Sequence, residues 1–285
     1  MNWLHQLFTA SPRPLFWWRP RPHHPKGIKT NFGDELNPAL YQWLTDQEAR
    51  RAQSNDRRKT LAIGSVLTHA LPGDVVWGSG LNGKVRDEAG NIQLPKRPDA
   101  ITFRAVRGPL TRQLLVEAGA EVPEVYGDPS LLMRFFIKPP EQRRGTLVIP
   151  HYTDTAALME QWKPRDETML WSMDASAEAT IAAINSAERV VSSALHGIIV
   201  AEALGVPVVP MRIGHVEHPF KFQDYWLGTG RDPLPFVEGF QAALDAEAPP
   251  TVEFPDALFS ELLAQCPFPL SDKLSNLSFV SASGE

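Results

Sequence analysis

The stretch richest in chemistry is Val190 to Gly205, VVSSALHGIIVAEALG. An apolar run leads into Ser192 and Ser193, and the helical period that follows carries His196 and Gly197 in its first turn. The first backbone N–H groups of a helix have no partner within it, so with the two serine hydroxyls they form a site for an anion. An imidazole beside that anion could exchange a proton near neutral pH, as a general acid or base must. A capped core helix with a satisfied histidine fits the same four residues, because short motifs match often by chance. Glu202 lies on the same apolar helix face as Leu195, Ile198 and Ile199. A carboxylate there is either partly buried with a partner or turned to a ligand hydroxyl.

Other candidates stand where apolar runs end. In FRAVRGPLT, strand alternation puts Arg104 and Arg107 on opposite faces. Arg107, at the carboxyl end, could grip a carboxylate or phosphate with its planar fork, or make a structural ion pair. Asn31, Gly33 and Asp34 form one corner; Gly78, Ser79 and Gly80 form another. Glycine permits close approach of a ligand to the backbone, and Asn and Asp can hold sugar hydroxyls, although caps and turns use the same residues. Asp128 and His151 close two further strands as site candidates. The Gly-Ser-Gly triplet does not complete a dinucleotide fingerprint and no Walker loop occurs. The histidines lack metal-ligand spacing, His215 and His218 sit in a loop-like stretch, and no required metal is expected.

These residues need a scaffold, and from Asn31 the chain alternates short apolar runs with helical periods, which argues for parallel strands joined by crossover helices. Asp34 is expected to cap a helix bearing Leu36, Leu40, Trp43 and Leu44. Strands are expected at Leu15–Arg19, Leu61–Gly64, Val75–Gly80, Ala100–Val106, Val122–Tyr126, Thr146–Pro150, Arg189–Ser192 and Val206–Met211. A helix starts at Pro109 and ends at Gly119, and others cover Ala177–Ala187, Ala194–Gly205, Phe236–Leu244 and Ala257–Ala264. The charged, proline-bearing KPPEQRRG at 138–145 has no apolar period, so the expected domains are 1–143 and 144–285. The fold class is therefore α/β, with two Rossmann-like domains facing across a cleft that holds the site.

Composition sets the limits. A chain of 285 residues with 43% apolar side chains can bury one large core or two. With 28 Lys plus Arg against 33 Asp plus Glu, no overall attraction to nucleic acid or anionic lipid follows, so an anion site must be local. The single Cys266 rules out an internal disulfide and fits a reducing compartment, and no apolar run approaches a membrane span, so the cytoplasm is the expected location. The first 29 residues stand apart: Leu15–Arg19 reads as a first strand, while Trp3 to Phe8 could rest on a membrane interface.

Taken in order, NFGDEL, AIGSVL, VWGSGLNGK, FRAVRGPLTRQLL, VYGDPSLL, IPHY, SSALHGIIVAEALGVPVV and FKFQDYWLGTGR resemble the polysaccharide pyruvyl transferase family, in particular its branch acting on xanthan-like repeat units. The resemblance runs from about Phe16 to Arg231, and the ordered series carries it. It implies a GT-B-like fold, phosphoenolpyruvate as donor, no required cofactor, and a lipid-linked oligosaccharide as acceptor, on which a cyclic pyruvate ketal is formed. Arg107, Leu195 and His196 are then donor-site candidates, with Ser193 and Gly197 beside them and His151 as a second acid/base. Asn31, Gly33, Asp34, Gly78, Gly80, Asp128 and Glu202 fall to the acceptor. Two departures occur. Ala194 stands where many relatives have arginine before Leu-His-Gly, and Thr30 stands where glycine often precedes Asn. Ser193, Arg107 or Lys221 could replace the missing arginine. A nucleotide-sugar glycosyltransferase and a non-catalytic sugar-binding partner of the assembly machinery are the rival readings.

Overall fold

The computed structural model describes residues 13–20, 30–172, 174–214 and 218–276. The Trp3–Phe8 segment and His215 lie outside the described residues. In chain order the elements are β1 (Leu15–Phe16), α1 (Phe32–Thr45), β2 (Arg51–Ala52), β3 (Thr60–Leu61), β4 (Val75–Trp77), β5 (Thr102–Ala105) and α2 (Pro109–Glu117). Then come β6 (Thr146–Ile149), α3 (Thr155–Gln161), β7 (Thr168–Leu170), α4 (Ala177–Ser186), β8 (Arg189–Ser192), α5 (Leu195–Ala203), β9 (Val208–Arg212) and α6 (Phe220–Gly228). β10 (Val237–Glu238), α7 (Phe240–Asp245) and α8 (Asp256–Ala264) complete the set.

The strands form two five-stranded sheets, β2-β1-β3-β4-β5 and β10-β9-β8-β6-β7, and every pairing between these strands is parallel. Numbered within its own half, each sheet has the order 2-1-3-4-5. Such doubly wound sheets reverse direction between their first and third strands, and the crevice at the carboxyl ends of that pair is where ligands settle. The two reversal points are therefore β1/β3 and β6/β8.

Local sequence explains most boundaries. Asn31, not Asp34, caps α1: its side chain accepts from Gly33 N, and Asp34 lies in the first turn, where a carboxylate suits the helix dipole. Pro38 removes one helix donor, and the Asn37 amide replaces it by donating to Asp34 O while also bonding both main-chain groups of Ile63. That ties α1 to the end of β3. Val122–Tyr126 is not a strand, because Pro123 interrupts the run and only Tyr126 pairs, with Val106. β9 starts two residues late, after Pro207. The expected helix at Phe236–Leu244 splits into β10 and α7 at Gly239, whose φ of 88° no helix continues through.

The halves share a core cluster, and each keeps a further cluster of its own. A single cluster joins Phe32, Leu36, Leu40 and Trp77 of the first half to Ile149, Ile181, Ile198 and Trp226 of the second. α8 returns to the first sheet, where Trp77 Nε1 donates to Leu262 O at 2.8 Å. The turn between β5 and α2 meets α6 so closely that a Cβ at Gly108 would lie 1.7 Å from Asp224 O, and one at Gly228 would lie 2.1 Å from Arg107 O. Glycine is required at both positions for that backbone approach. Among the described residues no helix is long and apolar enough to cross a membrane.

Candidate functional site

Both reversal points open into one cavity of about 560 Å³, within the range of small-ligand sites. Trp18 enters it from the loop after β1 and Ser65 from the loop after β3. His151 and Tyr152 follow β6, and Ala194, Leu195 and His196 follow β8. The first turn of α1 contributes Asn31, Gly33 and Asp34; Asn82, Lys84 and Lys221 line another part of the wall.

His196 is the best-positioned proton carrier. Its Nε2 stands 3.4 Å from Asp128 Oδ2, an ion-pair distance with a wholly buried carboxylate. The other Asp128 oxygen accepts from Ser130 N and Ser130 Oγ. Burial alone would raise the Asp128 pKa, but His196 and Ser130 hold it below the usual carboxylate range, so it stays ionised behind the ring. At this distance the carboxylate acts on the ring as a charge, favouring a proton on Nε2. Nδ1 faces Gly33, where an added Cβ would lie 2.3 Å from it. The added methyl would also lie 2.8 Å from His196 Cγ and 3.1 Å from its Cβ, so Gly33→Ala must push the ring off Asp128 and overpacks the contact between α1 and α5 at a cost of about 1–3 kcal/mol. We expect a roughly 10²-fold loss of turnover, the scale of a 1 Å misplacement, from a protein that still folds with a lowered melting temperature, both read on the same preparation.

The serines before α5 build the turn. Ser192 Oγ accepts from Ala194 N and donates to Ile149 O, and Ser193 Oγ accepts from His151 N. Their hydroxyls hold the loop that presents the first turn of α5, and Ala194, the N-cap residue, makes no side-chain capping bond. His151 Nδ1 lies 2.6 Å from Thr153 Oγ1.

Burial perturbs the cavity's ionisable groups. Asp34 is pushed up to about 8, chiefly by burial and next by Glu35, so below that pH it is a neutral acid that can donate one hydrogen bond. Burial, helped by Arg107, lowers Lys221 to about 7. Asp154, outside the cavity lining, is likewise raised by burial against bonds from Ser193 and Thr153.

Asn31, Gly33, Asp34, His151, Leu195, His196 and Lys221 thus line one cavity, with Asp128 against His196 and Ser193 bonded to the His151 main chain. Others do not reach it. Arg107 is fully buried: Nη1 donates to Ser65 Oγ, Nη2 to Leu81 O, and Nη2 lies 3.1 Å from Asp224 Oδ2. Its fork is committed to that pair, and it meets the cavity only through Ser65. Gly80 leaves room for this guanidinium, since a Cβ would lie 2.5 Å from Arg107 Cζ; Gly78 makes room for Pro129 and Gly197 for Ser192 Oγ. These glycines admit neighbouring side chains rather than a ligand. Glu202 accepts from Tyr225 Oη and from both Arg231 nitrogens near the far end of α5, so it is the buried, partnered carboxylate. Trp18, Ser65, His69, Asn82, Lys84, Gln93 and Tyr152 are cavity residues that sequence reasoning passed over. Tyr152 adjoins His151 in IPHY, and Lys84 closes the glycine-rich VWGSGLNGK, so position beside a strand end was the available signal.

The family model described as polysaccharide pyruvyl transferase matches residues 66–215, just over half of the chain. Uncharacterized protein L143 of Acanthamoeba polyphaga mimivirus is 32% identical over 217 residues, covering 71% of this chain and 72% of that protein. Succinoglycan biosynthesis protein ExoV of Rhizobium meliloti is 28% identical over 228 residues, covering 73% of this chain, which spans 64% of ExoV. No solved structure matches the chain.

Proposed function

Since the chain belongs to the polysaccharide pyruvyl transferase family, we propose that it moves the pyruvyl group of phosphoenolpyruvate onto a sugar of an exopolysaccharide repeat unit, forming a cyclic ketal and releasing phosphate. One observation carries the reading: a histidine backed by a buried carboxylate shares a cavity with two lysines and a helix N-terminus. A donor with a carboxylate and a phosphate needs cations and N–H groups at both ends. Lys221, Lys84 and the N–H groups that open α5 supply them, and Asp34, held neutral, adds no opposing charge. The GT-B-like disposition of the two sheets and the lipid-linked nature of the acceptor belong to the same proposal.

Chemistry follows from this placement. Protonated His196 gives its proton to the donor's methylene carbon, leaving the adjacent carbon electron-poor. A sugar hydroxyl adds there and loses its proton to the neutral imidazole. The carbon–phosphate oxygen bond then breaks, a second hydroxyl closes the ring, and its proton leaves with phosphate. Asn31 and Asp34 orient the acceptor, and Arg107 acts at a remove by fixing Ser65 and raising the local positive potential.

The test is acceptor-dependent phosphate release from phosphoenolpyruvate, with mass spectrometry showing the acceptor heavier by one pyruvate less water. Release of a nucleoside diphosphate from an activated sugar would instead make the protein a glycosyltransferase.

Donor binding should depend on pH through Lys221. Its ammonium is charged below about 7 and neutral above, so an anion binds the form that is lost as pH rises. Above that value the donor's phosphate is already ionised, and affinity should fall by up to about tenfold per pH unit. Calorimetry in two buffers of different ionisation heat should detect proton uptake on binding, and Lys221→Met should abolish both effects up to about pH 8, above which ionised Asp34 opposes the anion in either protein.

A further inference from the structure

The cavity has an aromatic wall that the chemistry above does not use. Trp18 and Tyr152 stand on opposite halves, each just past a strand that borders a reversal point. Their rings are within 16° of parallel, with centroids 6.5 Å apart. The two rings are therefore a stacked pair that bridges the halves, and both stay partly exposed on the cavity wall. Hydroxyl-binding groups stand beside them. The Trp18 main chain bonds Asp34, and Asp34 is close enough to Tyr152 to raise its phenol beyond what burial does. His151 packs against Tyr152 at 4.3 Å.

We infer that Trp18 and Tyr152 form a platform, split between the two halves, for the apolar face of the acceptor's pyranose ring. The axial C–H bonds of a pyranose carry partial positive charge and meet the negative face of an aromatic ring, while its equatorial hydroxyls remain free at the rim. There Asn31 and the Asp34 carboxyl serve as partners. A phosphate or carboxylate gains nothing from such a wall, whereas Lys221 and the opening turn of α5 suit it. The cavity therefore offers cationic groups for the donor and an aromatic pair for the sugar. This inference rests on the pyruvyl-transfer reading for the role of the sugar, not for its binding.

Saturation-transfer NMR with methyl β-D-glucopyranoside, methyl β-D-galactopyranoside and methyl α-D-mannopyranoside tests it, using the full chain, Trp18→Leu and Tyr152→Leu. At least one glycoside should show transfer to its ring protons with the unsubstituted protein. Each variant should weaken that transfer and raise the acceptor KM by about tenfold, the scale of one lost aromatic contact. Phosphoenolpyruvate binding, followed by phosphorus NMR, should persist in both. Two variants on separate halves keep the test open should one fail to fold. Undiminished transfer in a folded variant, or no transfer with any glycoside, would overturn the platform. If glycoside binding is lost in the variants but phosphoenolpyruvate never binds the unsubstituted protein, the platform stands and pyruvyl transfer falls.

Discussion

Replacing His196 by alanine lowers acceptor-dependent turnover by about 10² to 10⁴-fold, the range for a lost general acid or base. The donor should still bind, because Lys221, Lys84 and the main chain of α5 remain in place. That split distinguishes chemistry from binding, since uniform loss of both would point to a collapsed turn. Asp128→Asn supplies the companion result. The shape survives, but the ion pair with Nε2 at 3.4 Å is gone and the ring loses the anion that favours its Nε2 proton. Turnover should fall again, with donor affinity little changed. If His196→Ala retains full turnover, the proton carrier is elsewhere, and His151 in the same cavity is the next candidate.

The second large effect is on stability. Asp224→Ala should cost about 3–5 kcal/mol, because it leaves the Arg107 guanidinium buried without its anion. It also removes two bonds to α2: Thr111 N donates to Asp224 Oδ1 at 2.9 Å and Thr111 Oγ1 to Oδ2 at 2.7 Å. Asp224 lies on α6 and Thr111 on α2, so one carboxylate fastens the two halves. For a chain of this size the loss corresponds to a fall in melting temperature on the order of 10 °C. Replacing both charges, as in Arg107→Met with Asp224→Leu, should recover part of it, since an apolar pair avoids the cost of a lone buried ion. Thermal unfolding of the three proteins checks the order; equal stability of Asp224→Ala and the parent would remove Arg107 from the structural framework.

The architecture was legible because parallel sheets write themselves into sequence as apolar runs ending in glycine, serine or histidine, followed by helical periods. TLVI at β6, RVVS at β8 and the α5 segment all behave this way. β2 and β10 were not legible, being two residues long and defined by their neighbours rather than by propensity. Nor was α6, whose charged and aromatic residues are drawn inward by contacts with the other half: Lys221 faces the cavity and Asp224 faces Arg107. At the site, His196, Asp34 and Asn31 were readable as polar residues at strand-to-helix corners. Arg107 met the same criterion and Glu202 stood out as a carboxylate on an apolar helix face; for both the structure takes the partnered alternative, with partners Asp224 and Arg231 distant in sequence. Trp18 lies past a strand that stops at Phe16, where it packs against the first-half core and still reaches the cavity.

The central claim is that a small doubly anionic enol phosphate sits beside the His196 imidazole. A crystal soaked with phosphoenolpyruvate and a non-reacting sugar tests it most directly. Density is expected with one anionic group against Lys221, the other at the N–H groups of Leu195 and His196, and the methylene carbon within reach of the His196 ring. An empty cavity at saturating donor, or density bound elsewhere on the molecule, would contradict it.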